Sequence, residues 1–492
     1  MKIVQSLLLA GILLQPAVAQ VHLPAIFSDH MVIQRDLPVH VWGLAAAGEE
    51  VRITFRGATR TVTADRLGQW QAYLPPGGPG GPFTLEIAGT NKLSFSDVLV
   101  GDVWVASGQS NMEFQMQDVA NADAELGHAD QPAIRLFKVE RTAADYPMSD
   151  VAAKPWTLST RESAAKFSAV AFLFAREIRA DQKVAIGVIE ADWGGTPAEA
   201  WTSLPALAAD ASLMPEFAAF AKMAEAEGAY TLEKQYQYEQ IASAKAEGKP
   251  APQFPWHAEI RSWIPSADYN GMIAPLTPFP IRGVIWYQGE SNAGPERAET
   301  YNHLFETMIR DWRSQWKVGD FPFFFVQIAN WKAGADSRWP EVRDAQRRTL
   351  ELKNTGMAVT IDIGNPDNIH PTNKQDVAHR LALAARAIAY GESLEYSGPL
   401  YRLVYVEGSS LRATFSHGAG LAAKGGELHG FEVAGADHKF VSATATIDRD
   451  SVVVSNPTLT APVYVGYGWD SNPDCNLYNA AGLPASPFTS EP

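Results

Sequence analysis

The sequence has 492 residues, of which 46% are hydrophobic and 19% charged, and 55 acidic against 40 basic side chains give a formal net charge of −15. This composition is typical of a globular protein with more than one domain, and it excludes a disordered or collagen-like chain. The acidic balance argues against binding to duplex nucleic acid or to an anionic membrane, because both require a basic surface.

The first nineteen residues have the features of a secretory signal peptide. Lys2 gives a positive start, residues 3–14 are almost entirely apolar, and Ala17 and Ala19 are the small residues that a signal peptidase requires. We therefore predict cleavage after Ala19 and an exported protein, periplasmic or extracellular, without a further membrane span. Cys475 is the only cysteine, so no disulfide within the chain is expected.

The hydrophobic pattern divides the rest of the chain into three parts. Residues 20–98 alternate apolar and polar side chains in short runs between Gly/Pro turns, which predicts a β-sandwich domain. Residues 99–395 alternate short apolar strands with helical patterns, which predicts an α/β domain with a mostly parallel sheet. Residues 396–492 return to short strands and predict a second β-sandwich module. The strands predicted in the two flanking modules include 40–43, 51–55, 83–87, 400–406 and 451–454.

Within the α/β domain, the segment 206–262 is rich in Ala, Glu, Lys and Gln and is predicted to be a helical insertion over the core. In an open parallel sheet, functional residues gather at the carboxyl ends of the strands. The residues that follow the strands of this domain are therefore the candidates for a site. Its predicted strands are 103–106, 184–189, 283–287, 323–328 and 357–362, and its predicted helices include 165–179, 301–315 and 375–389.

The first of these strands runs into Gln109, Ser110 and Asn111. A helix that begins there would place Ser110 in the positive field of its N-terminus, beside free backbone N–H groups. This position suits a nucleophile whose attack creates an oxyanion. A serine that only caps the helix is the structural alternative.

A pair of glycines, Gly194 and Gly195, follows the second strand in the block at 192–201. Glycines allow the backbone to approach a ligand closely, and their N–H groups can point at a developing negative charge. A tight turn before a helix is the alternative explanation.

The block at 286–292 places Gln288, Glu290 and Asn292 after a buried strand. Polar side chains in such a position are costly to bury unless they are hydrogen-bonded or used. The alternative is a loop that faces solvent.

After the last predicted strand, Asp367 and His370 lie three residues apart in a loop with prolines. The aspartate could hold the Nδ1–H of the imidazole while Nε2 faces Ser110, as in a Ser-His-Asp triad. The alternative is an Asx turn beside a surface histidine.

Four blocks, at 108–112, 192–201, 286–292 and 367–370, together resemble the SGNH-hydrolase superfamily. More closely they resemble its sialate O-acetylesterase branch, which includes acetylxylan and other polysaccharide acetylesterases. The resemblance covers residues 101–390 well. It implies an α/β fold of the SGNH-hydrolase three-layer type, with a mostly parallel sheet, flanked by the two β-sandwich modules.

The resemblance also implies roles for the candidate residues. Ser110 would be the nucleophile and His370 its general base. Asp367 would be the acid that orients the histidine, and Glu290, from the third block, is the alternative acid.

The oxyanion hole implied by the resemblance consists of the backbone N–H groups of Ser110 and Gly195, with Gly194 as the fallback, and a side-chain amide. The third block departs from the Gly-x-Asn-Asp spacing usual in the superfamily. Asn292 is therefore the preferred amide, and Gln288 is the alternative.

The implied activity is hydrolysis of acetyl esters on carbohydrates through an acetyl-enzyme intermediate, without a metal or other cofactor. The only partner expected is the substrate, either O-acetylated sialic acid or an acetylated plant polysaccharide such as xylan or xyloglucan. Gln109, Gln288 and Arg343 are predicted to contact it. The arginine is included because sialic acid carries a carboxylate; Arg347 is a second candidate, and the alternative is that both arginines lie on the surface of a helix. One alternative is a non-catalytic carbohydrate-binding protein, since the chain has 14 tryptophans. Another is a glycoside hydrolase that uses Glu290 and Asp367.

Overall fold

The computed structural model describes residues 20–254 and 258–491, so the predicted signal peptide, residues 1–19, lies outside the described residues. Its strands are β1 (Val32–Gln34), β2 (Val39–Leu44), β3 (Glu50–Phe55), β4 (Ala58–Thr63), β5 (Gln69–Leu74), β6 (Gly80–Ala88), β7 (Lys92–Gly108), β8 (Gln131–Lys138), β9 (Thr157–Ser159), β10 (Ala185–Asp192), β11 (Gly283–Tyr287), β12 (Phe323–Val326), β13 (Thr355–Ala358), β14 (Leu400–Glu407), β15 (Ser410–Ser416), β16 (Ala422–Ala423), β17 (Phe431–Ala434), β18 (Val441–Ser442), β19 (Thr444–Asp448), β20 (Ser451–Ser455), β21 (Tyr464–Tyr467), β22 (Leu477–Tyr478) and β23 (Phe488–Thr489). Its α-helices are α1 (Ser110–Glu113), α2 (Ala122–Leu126), α3 (Arg161–Ala165), α4 (Ala169–Gln182), α5 (Leu204–Ala208), α6 (Met214–Ala246), α7 (Tyr301–Trp316), α8 (Trp339–Arg348) and α9 (Gln375–Ala384).

The largest sheet has eleven strands, and its main path is β13-β12-β11-β7-β10-β8-β9. The second half of β7 pairs in parallel with β10 on one side and with β11 on the other. Further parallel pairs add β8 beyond β10, and β12 and β13 beyond β11. The chain is thus a mixed α/β protein with a large mixed sheet. This confirms the predicted α/β class. The parallel strand β8 was not predicted.

The central strand β7 joins the N-terminal β region to the α/β region without a break. Its residues 92–97 alternate between exposed and half-buried and pair antiparallel with β6, whereas residues 98–108 are almost continuously buried. A sheet covered on one face produces alternation, and a sheet covered on both faces produces a continuous apolar run. The predicted boundary between residues 98 and 99 therefore lies inside one strand, where the sheet becomes covered on both faces.

Helices cover the parallel part of the sheet on both faces. Trp104 of β7 belongs to a buried cluster with Phe174 of α4 and Leu381 of α9, whereas its neighbour Val105 belongs to another cluster with Trp312 of α7. Successive residues of a strand point to opposite faces, so β7 contributes to both cores. This packing holds the carboxyl ends of the parallel strands together at one edge of the sheet.

The terminal regions contain smaller β structures. In the N-terminal region, β3, β4 and β6 join the antiparallel end of the large sheet, and β2 pairs with β5. In the C-terminal region, the sheets β14-β15-β20-β19 and β18-β17-β21-β23 share a core that includes Val452 and Val465, as in a β-sandwich. The side chain of Gln327, just after β12, donates a hydrogen bond to Ser486 Oγ at 2.8 Å and ties this module to the α/β region.

The segment predicted as a helical insertion, 206–262, contains α6, a helix of 33 residues. Near its start the buried carboxyl group of Glu216 accepts a hydrogen bond from Thr300 Oγ1 and lies 3.7 Å from Arg297 Nε. These contacts anchor α6 to the segment that precedes α7. In the described ranges, no helix combines the length and the apolarity that a membrane crossing requires.

Candidate active site

Ser110 lies at the carboxyl end of the central strand. β7 ends at Gly108, which has a φ of 137°, and a Cβ at this position would lie 2.1 Å from the carbonyl oxygen of Tyr287 on β11. Only glycine allows this approach. The N–H of Gln109 donates to the same carbonyl at 2.9 Å, and α1 begins at Ser110. Gln109 is thus the residue at the cap position, so Ser110 is not the capping serine of the structural alternative.

The hydroxyl of Ser110 meets the imidazole of His370. Ser110 Oγ lies 2.8 Å from His370 Nε2, and both residues are half-buried. The backbone N–H of His370 donates to Asn368 Oδ1 at 2.9 Å, which fixes the loop. Burial, and then the positive charge of Lys374, lower the pKa of His370 below its ordinary value. The imidazole is therefore neutral at pH 7, and its Nε2 can accept the hydroxyl proton of Ser110.

Neither candidate acid is hydrogen-bonded to His370 in the part of the chain that the structure describes. The side chain of Asp367 is 82% exposed, and its carboxylate lies 3.6 Å from Lys332 Nζ. The carboxylate of Glu290 accepts a hydrogen bond from Asn111 Nδ2 at 2.6 Å, and burial raises its pKa. Its second oxygen is buried and has no partner among the described residues. The assignment of Asp367 or Glu290 as the orienting acid stays a prediction.

The backbone N–H groups predicted to bind an oxyanion are those of Ser110 and Gly195. Among the described residues, neither the N–H of Ser110 nor that of Gly195 donates to a protein acceptor. The fallback, Gly194, donates its N–H to the carboxylate of Glu113 at 2.8 Å, which fixes the glycine pair against α1. The pair is close to the serine, because a Cβ on Gly194 would lie 3.3 Å from Ser110 Cβ.

The two candidate amide side chains have no exposed surface and are hydrogen-bonded to their neighbours. Asn292 accepts from the N–H of Ala198 at 2.9 Å and from Gln288 Nε2 at 2.7 Å, and it donates to Glu199 at 3.0 Å. Gln288 Nε2 also donates to the carbonyl of Thr196 at 3.2 Å, so both of its amide hydrogens are used. These bonds join the third block to the second. The predicted contacts of either amide with an oxyanion, and of Gln288 with substrate, stay predictions.

The other residues predicted to contact substrate are enclosed by protein. Gln109 is 3% exposed, and its Oε1 accepts from two backbone N–H groups of residues 289–291 at 3.2 and 3.4 Å, so it positions the loop after β11. Arg343 is fully buried and donates to the carbonyl of Ile328 and to two carbonyls of the C-terminal module. Neither side chain presents its polar groups to a substrate in this structure, so the predicted contacts of Gln109 and Arg343 with substrate stay predictions.

A buried network centred on Asn111 was missed in the sequence. Asn111 Nδ2 donates to Glu290 at 2.6 Å and to the carbonyl of Ile369 at 3.0 Å, while its Oδ1 accepts from Lys374 Nζ at 2.5 Å. Burial lowers the pKa of Lys374 to about 7. The network connects α1 to the residue before the histidine. The only sequence signal for it is that Asn111 and Lys374 each lie within four positions of a candidate site residue.

The site combines a serine hydroxyl, a neutral imidazole and two open N–H groups. This set is able to attack an ester carbonyl and to stabilise the resulting oxyanion. Within residues 20–254 and 258–491, no group of three or more His, Cys, Asp or Glu side chains is arranged to hold a metal ion. The expected independence from metals and cofactors stays a prediction.

Comparisons with known proteins agree on one kind of enzyme. A family model described as carbohydrate esterase, sialic acid-specific acetylesterase, matches residues 258–389. The chain is 30% identical to the sialate O-acetylesterases of Pongo abelii and of Homo sapiens, and each alignment covers 94% of this chain and 91% of the relative. Among solved structures, a carbohydrate acetylesterase from Xanthomonas citri is 39% identical with a TM-score of 0.83, over 96% of this chain and 99% of that one.

Proposed function

Because this chain belongs to the sialate O-acetylesterase family and is a carbohydrate O-acetylesterase, we propose that it removes acetyl groups from sugars through an acetyl-enzyme intermediate on Ser110. The observation that carries this proposal is the 2.8 Å contact between Ser110 Oγ and His370 Nε2 at the carboxyl end of the central strand. A non-catalytic carbohydrate-binding protein is set aside as the alternative, since the relatives are esterases.

The proposed reaction has two halves. Ser110 Oγ attacks the acetyl carbonyl carbon while its proton passes to His370 Nε2, and the oxyanion accepts hydrogen bonds from the N–H groups of Ser110 and Gly195. The bond to the sugar oxygen then breaks, and that oxygen takes the proton from the imidazolium and leaves as a hydroxyl. Water, deprotonated by the same imidazole, then attacks the acetyl carbon. The bond from this carbon to Ser110 Oγ breaks, Oγ takes the proton back from the imidazolium, and acetate leaves.

We propose Asp367 as the acid that orients His370. It lies on the same loop, and among the described residues its carboxylate has only the 3.6 Å contact with Lys332 Nζ. Glu290, the alternative, already accepts a short hydrogen bond from Asn111. The carboxylate of Asp367 is therefore freer than that of Glu290 to accept the Nδ1–H of His370, which favours Asp367.

The proposed third oxyanion donor is Asn292 rather than Gln288. Both hydrogens of the Gln288 amide are donated to neighbouring oxygens, whereas within the described ranges Asn292 donates only to Glu199 and so keeps one hydrogen. Asn292 is fully buried, so its contribution requires a small opening of the loop that follows β11. The two backbone N–H groups are the donors that need no rearrangement.

Two substrate classes are candidates. O-acetylated sialic acid carries a carboxylate, for which Arg141 is a better placed cation than Arg343, since it is 50% exposed and pairs with Glu113 beside Gly194. Acetylated xylan, xyloglucan and mannan are neutral and need no cation. An acetyl ester on a sugar hydroxyl is common to both classes.

We also propose that the protein is exported and that its α/β domain has a three-layer fold. The charged start, apolar stretch and small residues of 1–19 support a cleaved signal peptide and a periplasmic or extracellular enzyme. The parallel sheet with helices on both faces supports a three-layer arrangement of the SGNH-hydrolase type.

Labelling with a fluorophosphonate, followed by peptide mapping, tests the nucleophile. We expect the label on Ser110 and its loss in a His370→Ala variant, because the hydroxyl then lacks its base. Acetate release measured on O-acetylated sialic acid and on acetylated xylan, xyloglucan and mannan identifies the substrate. A label on another serine, or no acetate from any of these esters, would contradict the proposal.

A further inference from the structure

A groove of about 890 Å³ lies on the N-terminal β region, away from the residues of the candidate active site. It runs along the two-stranded sheet of β2 and β5 and is closed by residues 149–150 and by Pro278. None of the site residues named above is among the described residues that line it. The groove is therefore not part of the proposed site of ester hydrolysis.

One face of this two-stranded sheet carries a row of rings. His40 pairs with Tyr73 across the strands, and Trp42 pairs with Gln71, so these four side chains share a face. The rings of Tyr73 and His40 are stacked with centroids 4.3 Å apart, and those of His40 and Trp42 are 5.0 Å apart. The opposite face of the sheet points into the core.

The rings are held in place before any ligand arrives. His40 Nδ1 lies 2.8 Å from the carbonyl of Pro278, and its Nε2 lies 3.1 Å from the Gln71 side chain. Trp42 packs edge-on against Phe27 at 4.8 Å. A platform fixed in this way loses little conformational entropy when a ligand binds.

The groove is open to solvent although aromatic rings line it. Leu44, which lines the groove on the same face as Trp42, is 47% exposed, and Tyr73, just outside the lining residues, is 55% exposed. Gln69 and Gln71 lie beside the rings on this face, and Asp65 and Ser149 line the groove. Rings flanked by amide, hydroxyl and carboxylate groups match a pyranose, which presents an apolar C–H face and a rim of hydroxyls.

The charge of the groove indicates which sugars fit. Asp65 and Asp150 contribute negative charge, and the described lining residues include no lysine or arginine. A glycan with a carboxylate, such as a sialoside, would be repelled. We propose that this groove is a second carbohydrate-binding site and that it holds a neutral oligosaccharide chain. The inference does not depend on Ser110 or on the ester chemistry.

Calorimetric titration of the mature chain with xylohexaose and mannohexaose, and with oligosialic acid as the anionic probe, tests this site. We expect at least one neutral hexasaccharide to bind and oligosialic acid to bind more weakly. Trp42→Ala should weaken binding of the neutral chain by about three- to tenfold, because a ring that lines the groove beside His40 is lost. Trp42→Phe, which keeps an aromatic ring, should stay within about twofold of wild type.

Two controls separate the groove from other effects. Tyr405→Ala removes a tyrosine that is 52% exposed on β14 of the C-terminal module and is not among the lining residues, so binding should not change. Hydrolysis of a small aryl acetate should be the same in Trp42→Ala and wild type, which shows that the variant is folded and distinguishes a failure here from a failure of the proposed esterase mechanism. Equal binding by Trp42→Ala and wild type, no binding of either neutral hexasaccharide, or tighter binding of oligosialic acid would overturn the inference.

Discussion

Replacing Ser110 by alanine separates the catalytic role of the serine from a structural one. Among the described residues, Ser110 Oγ has a single hydrogen bond, to His370, and a bond of this kind is worth about 0.5–1.5 kcal/mol of stability. The loss of a serine nucleophile costs on the order of 10⁶ in kcat, which is roughly 8 kcal/mol of transition-state stabilisation. The variant should therefore remain folded and lose nearly all of its activity.

The test compares initial rates on an aryl acetate with urea unfolding of the same preparations. Ser107→Ala is the matched control, because Ser107 is fully buried on the same strand and its Oγ has no partner among the described residues. Removing an unpaired hydroxyl should lower neither stability nor rate. Activity of Ser110→Ala within tenfold of wild type, after removal of contaminating esterase, would refute the assignment.

Three further predictions concern titratable groups. Asp367→Asn should lower kcat by orders of magnitude, up to about 10⁴-fold, and more than Glu290→Gln does; the opposite ranking in steady-state kinetics would assign the acid role to Glu290. In a plot of kcat/KM against pH, the acid limb should lie below about 6.5, since the pKa of His370 is lowered. Lys374→Gln should move this limb to higher pH, because the positive charge that opposes protonation of His370 is lost. A flat profile from pH 4 to 8 would show that His370 is not the base. Burial raises the pKa of Glu216 to about 8 from 4.5, so the folded state keeps a proton that the unfolded state releases and stability falls as pH rises through this window. Urea unfolding should show a smaller fall for Glu216→Gln, and an identical pH dependence in variant and wild type would contradict the buried carboxyl.

The fold was predictable where the pattern of apolar residues is local. The strand at 283–287 was predicted with the bounds that β11 has, because a short apolar run ends abruptly at polar residues. The continuity of β7 was not predictable in the same way. A change from alternating to continuous apolar residues resembles a domain boundary in the sequence, although it marks the point where one strand becomes covered on both faces.

The pairing of Ser110 with His370 follows from a general rule about parallel sheets, which brings the residues after successive strands to one edge. Such a rule says nothing about side chains that meet inside the protein. The bond between Asn111 and Lys374 joins residues 263 positions apart, and no periodicity connects them. Arg343 shows a related difficulty, since the sequence identifies a basic residue but does not show that the protein encloses it.

The hydrogen-bond network of Asn111 places the positive charge of Lys374 near His370 and so affects the pH at which the imidazole is protonated. Lys374 holds the Oδ1 of Asn111, while the amide group of Asn111 holds both Glu290 and the carbonyl before His370. At the pH where His370 titrates, below about 6.5, a lysine with a pKa of about 7 is still mostly protonated, so its charge opposes protonation of the imidazole. Lys374 therefore positions the loop through Asn111 and opposes protonation of His370. It becomes neutral mainly above the pH range in which His370 titrates.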